Sequence, residues 1–272
     1  MAGDWPPRPI NGEPERDAYL TPPPVGEGGP KHILLLPGAL GCSDTFVDYV
    51  VGLEKAGYCP LAPDYPTGTR TIAELTNAMV AVLDKAKVAD AHVLGGSFGG
   101  LVAQAMAVYY PARVASLILT DTTAPSIRRA GFLRFVGGCV EKLPERFVKE
   151  VLALGIKRYV SDIQKGRRPY WQAHFDRMIA ILTREEIAGR AYVWADFDSQ
   201  FAKVPPDTSR PVLMITAKGD TFMPVSTQRT LLRYYPKAVS VTLPHGGHAA
   251  SLDQVEEYLA AIIPFLQEQA CV

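Results

Sequence analysis

The sequence predicts an α/β fold: a mostly parallel central sheet with helices on both faces and a helical cap insertion. Three observations carry that prediction. Short, continuously apolar runs recur along the chain, as expected of parallel strands buried on both faces. Amphipathic helical patterns alternate with them, which makes right-handed crossovers the default connection. The alternation then stops for residues 123–209, where helical patterns dominate, and resumes afterwards.

The 272 residues divide accordingly. Residues 1–30 hold eight prolines with glycines between them and read as an extended lead-in, with a short strand at Ala18–Leu20 as the one regular candidate. Residues 31–122 and 210–272 form the α/β core, and residues 123–209 the cap.

In order, His32–Leu36 is the first strand and runs into Pro37-Gly38-Ala39-Leu40-Gly41. Ser43 and Asp44 offer an N-cap to a helix with the apolar stripe Phe46, Val47, Val50, Val51, Leu53, stopping near Gly57. Tyr58–Ala62 is the next strand. Thr71-Ile72-Ala73-Glu74 is a capping box, behind which Leu75, Met79, Val82, Leu83 and Ala86 share a helical face. Ala91–Leu94 is a strand leading into Gly95-Gly96-Ser97-Phe98-Gly99, with a helix opening at Leu101 and ending at Tyr109-Tyr110-Pro111. Val114–Leu119 closes the first half. The cap reads as helices over Ile127–Val140, Pro144–Val160, Tyr170–Leu182 and Arg184–Phe197. Strand Pro211–Thr216, helix Pro224–Tyr235, strand Ala238–Leu243 and helix Leu252–Ile263 complete the chain.

Composition narrows function. Apolar residues make up 47% of the chain and charged residues 21%, enough for a full core without staples. Lys+Arg and Asp+Glu both number 28, and the neutral balance argues against nucleic acid or an anionic membrane surface as the main partner. Cys42, Cys59, Cys139 and Cys271 are far apart, without metal-ligand spacing, and read as free thiols. No metal or cofactor is expected. The start, MAGDWPPRPINGEPERD, has no apolar core of a secretory signal, and no apolar run approaches the roughly 20 residues of a membrane span, so the expected location is cytoplasmic.

The chemistry concentrates at the carboxyl ends of strands, where ligands collect in open α/β sheets. Gly95-x-Ser97-x-Gly99 is a G-x-S-x-G spacing between a strand and a helix. Glycine suits a turn so sharp that neighbouring backbones nearly touch. The helix behind Ser97 points free N–H groups at the place where an oxyanion would form. Asp220 and His248 follow later strands, so the chain order is Ser, acid, His. Asp121 after the Val114 strand and His245 are rival acid and base; Asp64, at another strand end, reads as structural. His32, His92 and His174 read as strand-edge or helix-surface residues without a role.

LLLPGALG, HVLGGSFGG, VLMITAKGD with Met223-Pro224, and LPHGGHAA together resemble the α/β-hydrolase fold superfamily, over nearly the whole chain after residue 30. The resemblance favours His248, preceded by Gly246-Gly247, and Asp220, in a G-D-x-x-x-P pattern with Gly219 and Pro224. It implies an oxyanion hole from the backbone N–H groups of Phe98 and Ala39, with Leu40 as the fallback. The sequence departs from many relatives in having Pro37-Gly38 for His-Gly and Asp64-Tyr65-Pro66-Thr67-Gly68 for D-x-R-G-x-G. Serine at the elbow argues against the branches that use aspartate there, and leaves esterases, lactonases, amidases, carbon–carbon bond hydrolases and perhydrolases. The expected activity is a carboxylesterase-like serine hydrolysis (EC 3.1.1 type) of small to medium apolar esters, with a lactonase or carbon–carbon bond hydrolase as the alternative. A non-catalytic adaptor on the same fold is a further alternative, since the Ser97 stretch faintly resembles the partner-binding maspardin branch. For the pocket, the expected lining residues are Leu40, Phe132, Trp171 and Trp194, with Phe135, Phe175, Met178 and Phe197 as further candidates; for each aromatic the competing reading is packing inside the cap. Oligomeric state is not legible.

Overall fold

A computed structural model describes residues 31–204 and 209–269. The proline-rich lead-in with Ala18–Leu20, and Cys271, lie outside the described residues. Among the described residues six strands form one sheet: β1 (His32–Leu36), β2 (Cys59–Leu61), β3 (Ala91–Gly96), β4 (Val114–Thr120), β5 (Val212–Ala217) and β6 (Val239–Leu243). Their spatial order is β2-β1-β3-β4-β5-β6, and every pairing is parallel.

The apolar runs are continuous because both faces of the sheet are covered. Leu34 and Leu36, Val93, Leu117 and Leu119, and Met214 face one way, onto α2 (Ile72–Lys85), α3 (Phe98–Tyr109) and, through Leu231, α8 (Val225–Tyr234). Ile33 and Leu35, Leu94, Ile118, and Leu213 and Ile215 face the other way, onto α1 (Val47–Lys55) and α10 (Val255–Gln269). Alternate residues of β1, β3, β4 and β5 thus feed two separate cores.

Local signals explain most boundaries. Thr71 caps α2 as read from sequence, its hydroxyl accepting from the Glu74 N–H while the Glu74 carboxylate takes the Thr71 N–H. The expected Ser43/Asp44 cap is corrected: a 3-10 turn over Ser43–Phe46 precedes α1, with Cys42 at its N-cap. The Ser43 N–H donates instead to Asp64 Oδ1 at 2.8 Å, which is the structural work of Asp64.

Between β4 and β5 stand α4 (Ile127–Lys142), α5 (Glu145–Val160), α6 (Arg168–Ile181) and α7 (Arg184–Phe201). Thr183 caps α7 with a second reciprocal box. α4 packs on α7, α5 on α6, and α7 rests on α2 and α3. The α4–α7 pair is fastened by Arg129, whose guanidinium meets both oxygens of the fully buried Asp198 at 2.7 and 2.6 Å. A fork on a carboxylate satisfies a buried charge that would otherwise be costly. α7 also approaches the core closely at Gly189, where a Cβ would stand 2.6 Å from the Thr69 carbonyl oxygen.

Candidate active site

β3 ends in a turn that lifts Ser97 out of the sheet at φ 50° and ψ −115°. A non-glycine residue at positive φ is strained and persists only where its surroundings enforce it. They do so here by crowding. A Cβ on Gly95 would lie 2.3 Å from the Gly99 carbonyl oxygen, and one on Gly99 would lie 2.0 Å from that of Leu36. The Ser97 N–H donates to the Thr120 carbonyl at 2.9 Å, and the Thr122 hydroxyl donates to the Ser97 carbonyl at 2.6 Å. α3 begins directly at Phe98, three residues earlier than Leu101, because the turn feeds the helix without an intervening loop.

Asp220 follows β5 after Gly219, which stands at φ 86°. Its carboxylate is fully buried and divided between two tasks. Oδ1 accepts the backbone N–H groups of Phe222 and Met223 at 2.8 and 2.7 Å, and Oδ2 faces His248 Nδ1 at 2.7 Å. His248 sits in a single 3-10 turn, Gly247–Ala249, after two left-handed glycines, Gly246 (φ 114°) and Gly247 (φ 60°). That turn aims Nε2 at Ser97 Oγ, 3.0 Å away. The rings of Phe222 and Tyr159 flank the imidazole at 5.1 and 5.9 Å. The structure therefore brings Ser97, His248 and Asp220 into one hydrogen-bonded line from three strand ends.

The rivals lie elsewhere. His245 is exposed and offers its carbonyl to Gln254. Asp121 is buried at the pocket floor with φ 45°, but its carboxylate is held by the Tyr258 hydroxyl at 2.6 Å and the Ala217 N–H at 3.2 Å, and makes no hydrogen bond to His248. Burial pushes its pKa up to about 7, against the pull of Tyr258.

The Pro37–Gly41 segment arches beside Ser97. The Gly41 N–H closes a turn onto the Gly38 carbonyl at 3.0 Å, and a Cβ on Gly38 would stand 3.9 Å from that of Ser97. Ala39 and Leu40 are the central residues of this turn, whose own hydrogen bond uses neither N–H. Phe98 is the first residue of α3, whose N–H has no intrahelical partner. Among the described turns and caps, no acceptor engages the N–H of Ala39 or of Phe98.

Above these groups is a cavity of about 360 Å³ whose walls include Leu40, Phe46, Leu152, Ile156, Phe175 and Trp194. Two of the expected lining residues are corrected. Phe132 is 65% exposed on the outer side of α4, since the packed face of that helix is taken by α7. Trp171 is 1% exposed but packs inside the cap with Ile156, Val160 and Phe175, one turn short of the cavity that Phe175 reaches. Sequence reasoning missed Tyr49, Leu152, Ile156, Tyr159, Phe222 and Met223. For Phe222 and Met223 a signal existed, because residues directly after an acid at a strand end must share its loop. Two histidines are also corrected: His92 is buried and pairs with the Ser116 hydroxyl at 2.7 Å, and His174 is buried beside Trp171 and Phe175, its pKa pushed down to about 4 by burial.

Comparison with known proteins agrees with this architecture. The chain is 28% identical over 230 residues to the pimeloyl-[acyl-carrier protein] methyl ester esterase of Aeromonas hydrophila, covering 80% of this chain and 84% of that protein. It is 26% identical over 251 residues to a 2-hydroxy-6-oxononadienedioate/2-hydroxy-6-oxononatrienedioate hydrolase of Cupriavidus pinatubonensis, covering 85% and 83%. Among solved structures, a hydrolase from Pseudomonas aeruginosa superposes with a TM-score of 0.73 at 23% identity, over 88% of this chain and 92% of that one. Among the described residues no helix is long and apolar enough to cross a membrane. The model of the alpha/beta hydrolase family matches residues 33–261, from the first strand through the serine turn to the closing helix, and the chain belongs to that family.

Proposed function

We propose that the protein is a serine hydrolase that cleaves carboxylic esters with small to medium, mainly apolar acyl groups, through an acyl-enzyme. The observation that carries this reading is the unbroken line Ser97 Oγ–His248 Nε2–Asp220 at the floor of an apolar cavity. In the reading, His248 Nε2 takes the hydroxyl proton as Ser97 Oγ bonds to the ester carbonyl carbon. Asp220 holds the Nδ1–H tautomer and stabilises the imidazolium. The carbonyl electron pair moves onto oxygen, between the N–H groups of Ala39 and Phe98, each such donor being worth about 10²–10³ in kcat. Collapse breaks the bond to the leaving alkoxide, which takes the proton from His248. Water then repeats the sequence on the acyl-enzyme and frees the acid.

The preference for neutral, apolar substrates is supported by the cavity lining, which contains neither lysine nor arginine. A dicarboxylate of the kind named for the Cupriavidus relative would bury charge there without a partner, at high cost. The strain held at Ser97 supports catalysis over an adaptor role, which has no need of it.

The test is Ser97→Ala, assayed on an activated short-chain ester and with a fluorophosphonate probe. Turnover and labelling should both vanish while the melting temperature stays near that of the wild type. Undiminished turnover refutes the assignment.

A further inference from the structure

Pro37, which stands where many relatives carry His, touches Tyr65, the residue after Asp64. The Tyr65 hydroxyl is buried and donates to the Pro37 carbonyl at 2.8 Å. From this contact we infer that Tyr65, backed by Arg190, is a positioning residue that fixes the direction of the Ala39 N–H. The inference rests on the reading of Ser97 as nucleophile and of Ala39 as oxyanion donor.

The Gly38–Ala39 peptide holds the Gly38 carbonyl and the Ala39 N–H in one rigid plane, pointing in opposite directions. The Gly41 N–H holds that carbonyl at 3.0 Å, so the Ala39 N–H must point away from the turn. The plane before it, Pro37–Gly38, carries the carbonyl that Tyr65 holds. Between the two planes lies Gly38, whose dihedrals are the least restricted of any residue. With both neighbouring planes pinned, the glycine cannot swing the donor away from Ser97.

Tyr65 is in turn held from two sides. Its ring meets the Phe98 ring edge-on at 5.7 Å, and Phe98 supplies the other donor N–H. Over both rings lies the guanidinium of Arg190 on α7, 4.8 Å from the Tyr65 centroid and 5.7 Å from that of Phe98. Arg190 makes no ion pair among the described residues, and its buried Nε has no hydrogen-bond partner. Its contacts include these two aromatic faces, an arrangement in which a poorly hydrated cation attracts ring electrons. A cap residue thereby braces both arms of the donor pair.

The test compares Tyr65→Phe, Arg190→Met and Arg190→Lys with the wild type. The readouts are kcat and KM on an activated short-chain ester, affinity for an alkylboronic acid whose oxygen occupies the oxyanion position, and melting temperature. Tyr65→Phe keeps the ring stacking and removes only the hydrogen bond. Its kcat should fall about tenfold with KM within twofold, since a displaced donor loses part of the effect of an absent one. Boronic acid affinity should fall by the same factor. Arg190→Met should give a smaller loss of the same kind, and Arg190→Lys should restore most of it. A Tyr65→Phe enzyme with wild-type kcat and boronate affinity overturns the inference while leaving the ester reading intact; so does a loss confined to KM. If Tyr65→Phe melts below assay temperature, the Arg190 pair decides by the same criteria. A wild-type protein inert to ester, boronate and fluorophosphonate removes the ester reading, and this inference with it.

Discussion

Asp220→Asn changes one atom pair, and the structure specifies how the new side chain must lie. Oδ1 of Asp220 accepts two backbone N–H groups, from Phe222 and Met223, and only Oδ2 faces His248. Turned with its nitrogen toward those two donors, the asparagine would leave both buried N–H groups unpaired, at about 1–3 kcal/mol each. It therefore keeps its oxygen there and presents its NH₂ to His248 Nδ1. Nδ1 must then accept, so the neutral ring carries its proton on Nε2, the atom 3.0 Å from Ser97 Oγ. A protonated Nε2 cannot take the serine proton. The expected loss is about 10⁴ in kcat, or roughly 5 kcal/mol of barrier at ~1.36 kcal/mol per decade. Stability should barely change, because every hydrogen bond keeps a partner. Steady-state kinetics on an activated ester near neutral pH, beside thermal melting, reads both quantities. A kcat within tenfold of the wild type, at unchanged melting temperature, would refute the tautomer argument.

Other outcomes follow from the same geometry. Gly99→Ala puts a Cβ 2.0 Å from the Leu36 carbonyl oxygen, backbone against backbone, so the serine turn or the end of β1 must move by an ångström or more. It should destabilise by at least about 1–3 kcal/mol and lower kcat about a hundredfold; a variant within twofold of the wild type in kcat would contradict the crowding argument. Asp121, with its pKa raised to about 7, stays protonated when folded over a range where the unfolded chain has already ionised. Its contribution to stability therefore falls as pH rises from about 4 to 7 and is constant above. Asp121→Asn should accordingly gain stability over the wild type in urea unfolding at pH 8, with the gain shrinking toward pH 5; a gain independent of pH would contradict the assignment.

The strands were legible because burial on both faces writes them as unbroken apolar runs, His32–Leu36 and Val212–Ala217 most plainly. Ser97, Asp220 and His248 were legible for a different reason. Each follows a strand and is marked by glycines that the backbone requires, such as Gly95 against Gly99 and Gly246 and Gly247 at positive φ. The cap wrote no such code. Trp171 and Phe175 lie one turn apart on α6, yet only Phe175 reaches the cavity, a distinction set by the packing of α5 on α6. Phe132 and Phe135, read as candidate lining, are 65% and 69% exposed because α7 takes the other side of α4. The pairing of Tyr65 with Pro37, 28 residues apart, was equally invisible, since Tyr65 fills an unspecified position of the family pattern and Pro37 appeared only as a missing histidine.

An acyl-enzyme requires a covalent bond to Ser97. The direct measurement is intact-protein and peptide mass spectrometry after rapid acid quench of the enzyme with an activated ester. The predicted result is a mass increase equal to one acyl group, on the peptide that carries Ser97, absent from Ser97→Ala and accumulating in a burst ahead of steady-state turnover. An acyl group found on another residue, or turnover with no adduct on Ser97 under conditions where deacylation limits the rate, would contradict it.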